Sequence, residues 1–468
     1  MIRLHTMLNN RRRFVLSAAM GALLVLVAGG ANAGTPPATA HCVPNLSVNP
    51  SCTDYYTTIQ AAVNAANPSD VIVVGPGLYN ETVAILKPNL YLLGAQAGRD
   101  ARVDRHDQAE ESIVDASGTP TGAGGGAAFL VGQFGIVIDG FTVQGGTGGI
   151  STPFASGIYV NPGGWVSQIL NNIIQNNAMG LYLSNSHFVL VKHNLFKTNN
   201  TGASGSNTTP LAGRKGFGIL ASNSQDGTDI TENEFAGNKA AAMVLPNGRN
   251  VEITENSSNQ DGSFVVFGNC YSIIFSHNQG KNFGGLGLLP LLDSYNADAA
   301  VEVIINNQAL QINDNDLEEG RVPNYSGIDF ASTGATYACY MCQVSNNRIK
   351  RFTGNGIVAE PVSCASTLQW TGVSGNDVED NGNVGILIGA TPCASPPSPY
   401  NQFNEFISLV DNEAQGNHVN DCEDDTTGGG YTPIGTLGTA NTWFNNIGNS
   451  SSPAGLCTPG RGHNHDWR

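Results

Sequence analysis

Charge is scarce in this chain. Asp, Glu, Lys and Arg make up only 12% of 468 residues, and the 37 acids outnumber the 21 Lys and Arg for a formal net charge of −16. No basic cluster with interleaved aromatics occurs, and so acidic a chain is repelled by phosphate, which excludes nucleic acid as a partner. Long apolar runs are also missing beyond the N-terminus, so no later segment is expected to span a membrane. The single exception reads as a leader. Arg11-Arg12-Arg13 precede an apolar stretch from Phe14 to Ala28, and Ala31-Asn32-Ala33 offers a cleavage site before Gly34, the pattern of a signal peptide over residues 1–33. Arg11-Arg12-Arg13-Phe14 only partly matches a twin-arginine signal, so the general secretion route is favoured. Cleavage would remove four arginines and no acid, moving the net charge from −16 to −20. A secreted or periplasmic, monomeric protein is expected.

What the chain has in abundance is glycine, 58 residues, and a repeat. An apolar residue is followed three positions later by asparagine at Ile169/Asn172, Val191/Asn194, Ile230/Asn233, Ile253/Asn256, Phe275/Asn278, Ile312/Asn315, Val344/Asn347, Val373/Asn376, Leu409/Asn412 and Trp443/Asn446. Successive asparagines lie 22 to 39 residues apart, a constant register with variable loops, as in a solenoid. Many units open with glycine and an apolar pair, as in Gly180-Leu181-Tyr182-Leu183, Gly327-Ile328-Asp329-Phe330 and Gly356-Ile357-Val358-Ala359. Such runs read as short strands, with Gly and Asn supplying positive-φ corners between them. Stacked turns would place each corner Asn over the next, so that the amides satisfy one another. A second Asn five residues on (Asn177, Asn199, Asn238, Asn381, Asn417) marks the next corner.

This pattern resembles the right-handed parallel β-helix, or pectate-lyase-like, superfamily. The resemblance implies an all-β, single-domain solenoid of about ten or more coils over residues 57–448, after a linker at 34–56 and before a tail at 449–468. Thr57-Thr58-Ile59-Gln60 has capping-box spacing and opens an amphipathic helix expected to cap the solenoid's open end. The segments from Val71 to Gly94 look like the first coil of several β-helix families, including pectin methylesterases and accessory proteins for nitrous oxide reductase copper sites.

Nine cysteines in an exported chain read as disulfides with one left over. Cys42/Cys52 would close the N-terminal loop and Cys422/Cys457 would tie down the C-terminal end. Cys364 and Cys393 each lie eight residues after a unit's opening glycine and would stack on adjacent turns. Cys339 and Cys342 are read as structural cysteines or a disulfide ahead of a zinc or redox pair, and Cys270 as the free thiol.

Function rests on side loops and charged strand residues, because coil walls are rigid and insertions build grooves. Insertions fall at residues 198–215, 279–299, 391–404 and 418–433. Arg348-Ile349-Lys350 matches the triplet with which polygalacturonases on this fold hold a substrate carboxylate, so Arg348, Lys350 and Arg351 are the candidate substrate contacts. The aspartate sets and Gly-His-Gly of that family are absent, which leaves two-carboxylate hydrolysis without its acids. Lyase chemistry needs a base and a cation, such as calcium, to neutralise a uronate; Asp421, Glu423, Asp424 and Asp425 are the candidate calcium ligands. His463, His465 and Asp466 read as a disordered end. The expectation is a protein that binds or acts on polysaccharide in a groove along one sheet. The alternative is a non-catalytic structural, adhesive or accessory module of the envelope or cell exterior.

Overall fold

The computed structural model describes residues 39–43, 52–103, 105, 107–118, 126–147, 155–201, 215–223, 226–284, 290–291, 295–296, 298–332, 337–361, 368–390, 404–428 and 434–460. The leader, Cys364, Cys393 and the histidines of the tail lie outside them.

Nearly every strand pairs in parallel with its counterpart one coil away. The strands form three long sheets: A, with 15 strands from Asp54–Tyr55 to Thr442–Phe444; B, with 12 from Gly77–Tyr79 to Glu413–Gln415; and C, with 13 from Val83–Ile85 to Ser451–Ser452. The chain visits A, B and C in turn. In one coil Gln168–Leu170 lies in A, Ile173–Gln175 in B and Met179–Ser184 in C. The fold is thus the all-β parallel solenoid expected from the repeat. Inward residues of all three sheets, such as Ile158, Ile169, Phe196, Phe235 and Phe275, form one continuous buried core. Phe196 and Phe235 stack at 5.0 Å between ring centroids, as equivalent rings on adjacent coils must.

The asparagines are the A–B corners. From Asn194 through Asn446, the Oδ1 of each accepts from both the backbone N and the Nδ2 of the Asn one coil before, at 2.8–3.1 Å, while Asn172 Oδ1 at the head of the ladder accepts from Phe141 N. All ten are nearly or fully buried, where an unpaired amide would cost about 1–3 kcal/mol. The ladder asparagine is not itself the left-handed residue. The residue before it is, with φ between 52° and 63° at Asn171, His193, Glu232, Asp314, Gly375 and their equivalents. Nor do the opening glycines serve a positive φ. At Gly356 a Cβ would lie 2.2 Å from Val378 Cγ1 and 2.6 Å from the Gly385 carbonyl oxygen, so close coil contact excludes a side chain there.

Two segments differ from the sequence expectation. Ala40–Val43, inside the expected linker, is a strand paired with Val71–Val74, and Ser451–Ser452, inside the expected tail, pairs with Cys422–Asp424. Both gain backbone hydrogen bonds that the short polar sequence around them did not advertise. Helix α1 (Ile59–Ala65) is capped by Thr58 Oγ1, which accepts from Ala61 N at 3.1 Å. Gln60 does not close a capping box. Glu81, from another coil, accepts from Ile59 N and Gln60 N at 2.9 Å each, placing a carboxylate at the helix N-terminus.

Cys42 bonds Cys52, Cys339 bonds Cys342 and Cys422 bonds Cys457, with Cα separations of 5.8, 6.0 and 6.1 Å. Cys270 is free and buried; burial pushes its thiol up to about 12, so it stays protonated and inert. No helix of the described residues is long and apolar enough to cross a membrane.

Candidate functional site

The outer face of sheet C carries one column in strict register: Leu130, Tyr159, Tyr182, Leu220, Val244, Val266, Glu302, Asp329, Val358, Leu387 and Glu423. Outward positions in a strand are normally polar, yet here most are apolar and buried. Tyr159 and Tyr182 stack at 5.1 Å, and Phe217, Leu220, Val244 and Val266 are fully buried. Two acids, Glu302 and Asp329, interrupt this apolar column, and a third, Glu423, ends it.

Glu302 and Asp329 are direct neighbours across strands Ala299–Val303 and Ser326–Ser332. Asp298, just before the first strand, completes a group of three carboxylates whose facing oxygens lie within 4.8 Å of one another. Glu302 is 1% exposed. One of its oxygens accepts from Asp298 N at 2.7 Å; the other has no hydrogen-bond partner among the described residues. Burial first, then the charges of Asp329 and Asp298, push the Glu302 carboxyl well above the usual range. Burial also raises Asp298. Three carboxylates so placed cannot all ionise without a cation. The donors are oxygen only, the set that suits calcium or magnesium. Tyr325 lies below, fully buried, its hydroxyl donating to the Ala299 carbonyl at 2.7 Å and holding the start of the Glu302 strand.

The cationic triplet lies elsewhere. Arg348, Lys350 and Arg351 are on or beside sheet B and face five acids. Arg348 pairs with Asp316 at 2.9 Å and with Glu318; Lys350 with Asp377 at 3.2 Å and with Glu379; Arg351 with Glu318 at 2.8 Å and Glu319 at 3.4 Å. A substrate carboxylate would have to displace these partners. Asp377 is pushed up to about 6, by burial first and then by Glu379, with Lys350 acting against the shift.

Nor do the acids of 421–425 converge. Asp421 accepts from Asn417 N and Nδ2 with one oxygen, and from Asn449 N and Ser450 N with the other. Asp424 is buried and holds Thr426, Asn441 and Trp443 Nε1, the last at 2.8 Å. Glu423, on the opposite strand face, accepts from Asn420. Asp425, raised by burial, follows the strand.

The Asp298–Glu302–Asp329 group is not among the candidates read from the sequence, where Asp329 stands only as part of the strand opening Gly327-Ile328-Asp329-Phe330. The available signal was its position: an acid where equivalent units place Tyr159, Tyr182, Val358 or Leu387.

Comparison with known proteins follows this geometry. The family model "Right handed beta helix region" matches residues 217–394, and "Periplasmic copper-binding protein (NosD)" matches 110–283. No protein curated for function matches the sequence significantly. Among solved structures, an alginate lyase from Paenibacillus sp. str. FPU-7 is similar with TM-score 0.44 and 10% identity, over 70% of this chain and 93% of that one. A DFA-IIIase from Arthrobacter chlorophenolicus A6 follows at 0.43 and 14%, over 72% and 94%. The catalytic unit of a GH87 alpha-1,3-glucanase from Streptomyces thermodiastaticus strain HF3-3 gives 0.44 and 13%, over 83% and 70%. Copper prefers imidazole and sulfur ligands, whereas the one group of three or more potential ligands among the described residues is all carboxylate. The coil register and the three parallel sheets make the fold a parallel β-helix, and residues 217–394 of it match the right-handed β-helix family model.

Proposed function

We propose that this is an exported protein that binds acidic polysaccharide through a divalent cation, most simply calcium, held beside sheet C by Asp298, Glu302 and Asp329, of which Asp298 is exposed. The observation that carries the reading is the buried Glu302 oxygen, unpartnered among the described residues and facing two further carboxylates. A chain of net charge −16 repels a polyanion, and a bound cation reverses the sign locally, bridging protein and sugar carboxylates. Three disulfides among the described residues support the secreted or periplasmic setting. If the protein also cleaves, the same cation would stabilise the enolate formed when a base removes the proton beside a uronate carboxylate.

The test uses the mature chain with alginate, polygalacturonate and a neutral glucan, in calcium and in EGTA. Calcium-dependent binding to a uronan, abolished in Glu302→Gln, is expected, and ultraviolet absorbance would report unsaturated products. Binding that is indifferent to EGTA and to Glu302→Gln would refute the cation bridge.

A further inference from the structure

The described residues between Ala95 and Glu111, namely 95–103, 105 and 107–111, leave the solenoid wall and lie across the A–B corner as a strap. It is tied down at several points. Gly98 N donates to Asp139 Oδ1 at 3.0 Å, and Ala101 N to the His193 carbonyl at 3.1 Å. Arg102 pairs with Asp100 and reaches Glu232 at 3.8 Å. Arg105 is buried, paired with Glu111 and bonded to the Asn171 carbonyl. Glu111 in turn accepts from Thr142 Oγ1 at 2.8 Å.

Between this strap and the outer face of sheet B lies a cleft of about 390 Å³, within the range of small-molecule sites. Ile173 and Leu195, in register on adjacent strands, form an apolar floor. Lys197, Glu234, Gln175 and Gln108 surround it. Arg102 and Arg105 already have acids, so Lys197 and Glu234 are the charged groups of the floor without an ion pair among the described residues. Burial raises the Glu234 carboxyl, a sign that this wall is partly shielded from water.

We infer that the cleft is a glycan subsite for a neutral, hydroxyl-rich sugar unit. The remaining polar groups are balanced: Lys197 donates, Glu234 accepts, and the glutamines do both, which matches hydroxyls that act both ways. An anionic ligand would meet Glu234 and Asp107; a cationic one would meet Lys197 and Arg102. The apolar floor suits the C–H face of a pyranose. Because strap and sheet are pinned by hydrogen bonds, the site is preformed and little ordering entropy is lost on binding. It is on a different sheet from Asp298, Glu302 and Asp329 and needs no cation.

The mature chain is titrated calorimetrically, in EDTA, with maltohexaose, cellohexaose, laminarihexaose, xylohexaose and mannohexaose. At least one is expected to bind, with affinity at least tenfold weaker in Lys197→Met and in Leu195→Trp. Thermal melts of the variants establish that they fold. Absence of binding by all five at millimolar concentration, or binding that survives both cleft substitutions, overturns the proposal. Neither result bears on the calcium-dependent site, which fails or stands on the Glu302→Gln and EGTA measurement.

Discussion

Asp261 Oδ1 accepts two hydrogen bonds from Asn238, from its backbone N at 2.7 Å and from Nδ2 at 2.8 Å, and so ends the amide ladder of the B–C corner. The ladder runs Asn177, Asn199, Asn238 and then Asp261. A second one runs Asn381, Asn417 and ends on Asp421 in the same way. An amide rung must both accept from the coil before and donate onward; a final rung only accepts, and a carboxylate does that. Asp421, a calcium candidate by sequence, has this architectural post.

The terminal acid makes stability depend on pH. Asp261 is fully buried and pushed up to about 7, by burial above all. Its folded value lies above the unfolded one of 3.8, so the native state holds the proton more tightly. Stability is therefore greatest when the carboxyl is protonated and falls as pH rises through about 7, by up to about 4 kcal/mol. Asp261→Asn keeps the acceptor and cannot ionise. Its melting temperature should exceed that of the wild type at pH 8 and converge with it near pH 4, as followed by circular dichroism.

An interior rung has no such freedom. Asn233 Nδ2 donates to Val191 and Thr231 carbonyls and to Asn256 Oδ1, while its own Oδ1 accepts from Asn194. Asn233→Asp would set a carboxylate oxygen against three acceptors in a fully buried site. A loss of about 3 kcal/mol or more is expected, measured by urea unfolding. A variant as stable as the wild type would remove the ladder from its structural role.

Calcium should stabilise the folded chain through Asp298, Glu302 and Asp329. At one hundred times the dissociation constant the gain would be about 2.7 kcal/mol. The raised carboxyls of Glu302 and Asp298 mean that protons compete with the ion, so the calcium-induced rise in melting temperature should shrink from pH 8 to pH 5. Glu302→Gln should lose most of it, and should itself melt higher than the wild type in EGTA at pH 8, since a buried charge is gone.

Lys350 bridges two acids that would otherwise repel each other. It contacts Asp377 and Glu379 at once, and one Asp377 oxygen is buried without a partner among the described residues. Lys350→Met should move the Asp377 titration above its present value of about 6, as seen by carboxyl NMR. The effect on polysaccharide binding should be small, because the triplet is spent on internal ion pairs.

Much of the architecture was legible beforehand for a simple reason. Strand stacking repeats one local environment on every coil, so the Asn172 to Asn446 register records the three-dimensional stack directly. The same repetition hid the exceptions. Glu302 lies in a strand whose opening departs from the glycine pattern, Ala299-Ala300-Val301, and nothing local marks it as the neighbour of Asp329, 27 positions away by subtraction of their numbers. Arg348-Ile349-Lys350 was conspicuous as a triplet, yet its partners Asp316, Glu318, Asp377 and Glu379 come from the coils on either side.

The linear sequence thus determined the period, the corners, the parallel all-β fold and the acidic character of the surface, because these depend on residue type at fixed spacing. Tertiary structure decided which acids meet one another, which cations are already satisfied, and that residues 101–103, 105, 107, 108 and 111 form a cleft with sheet B. Those outcomes depend on variable loop lengths and on side chains from different coils meeting across about 4.8 Å of stacking, and such distances are set only when the chain is wound.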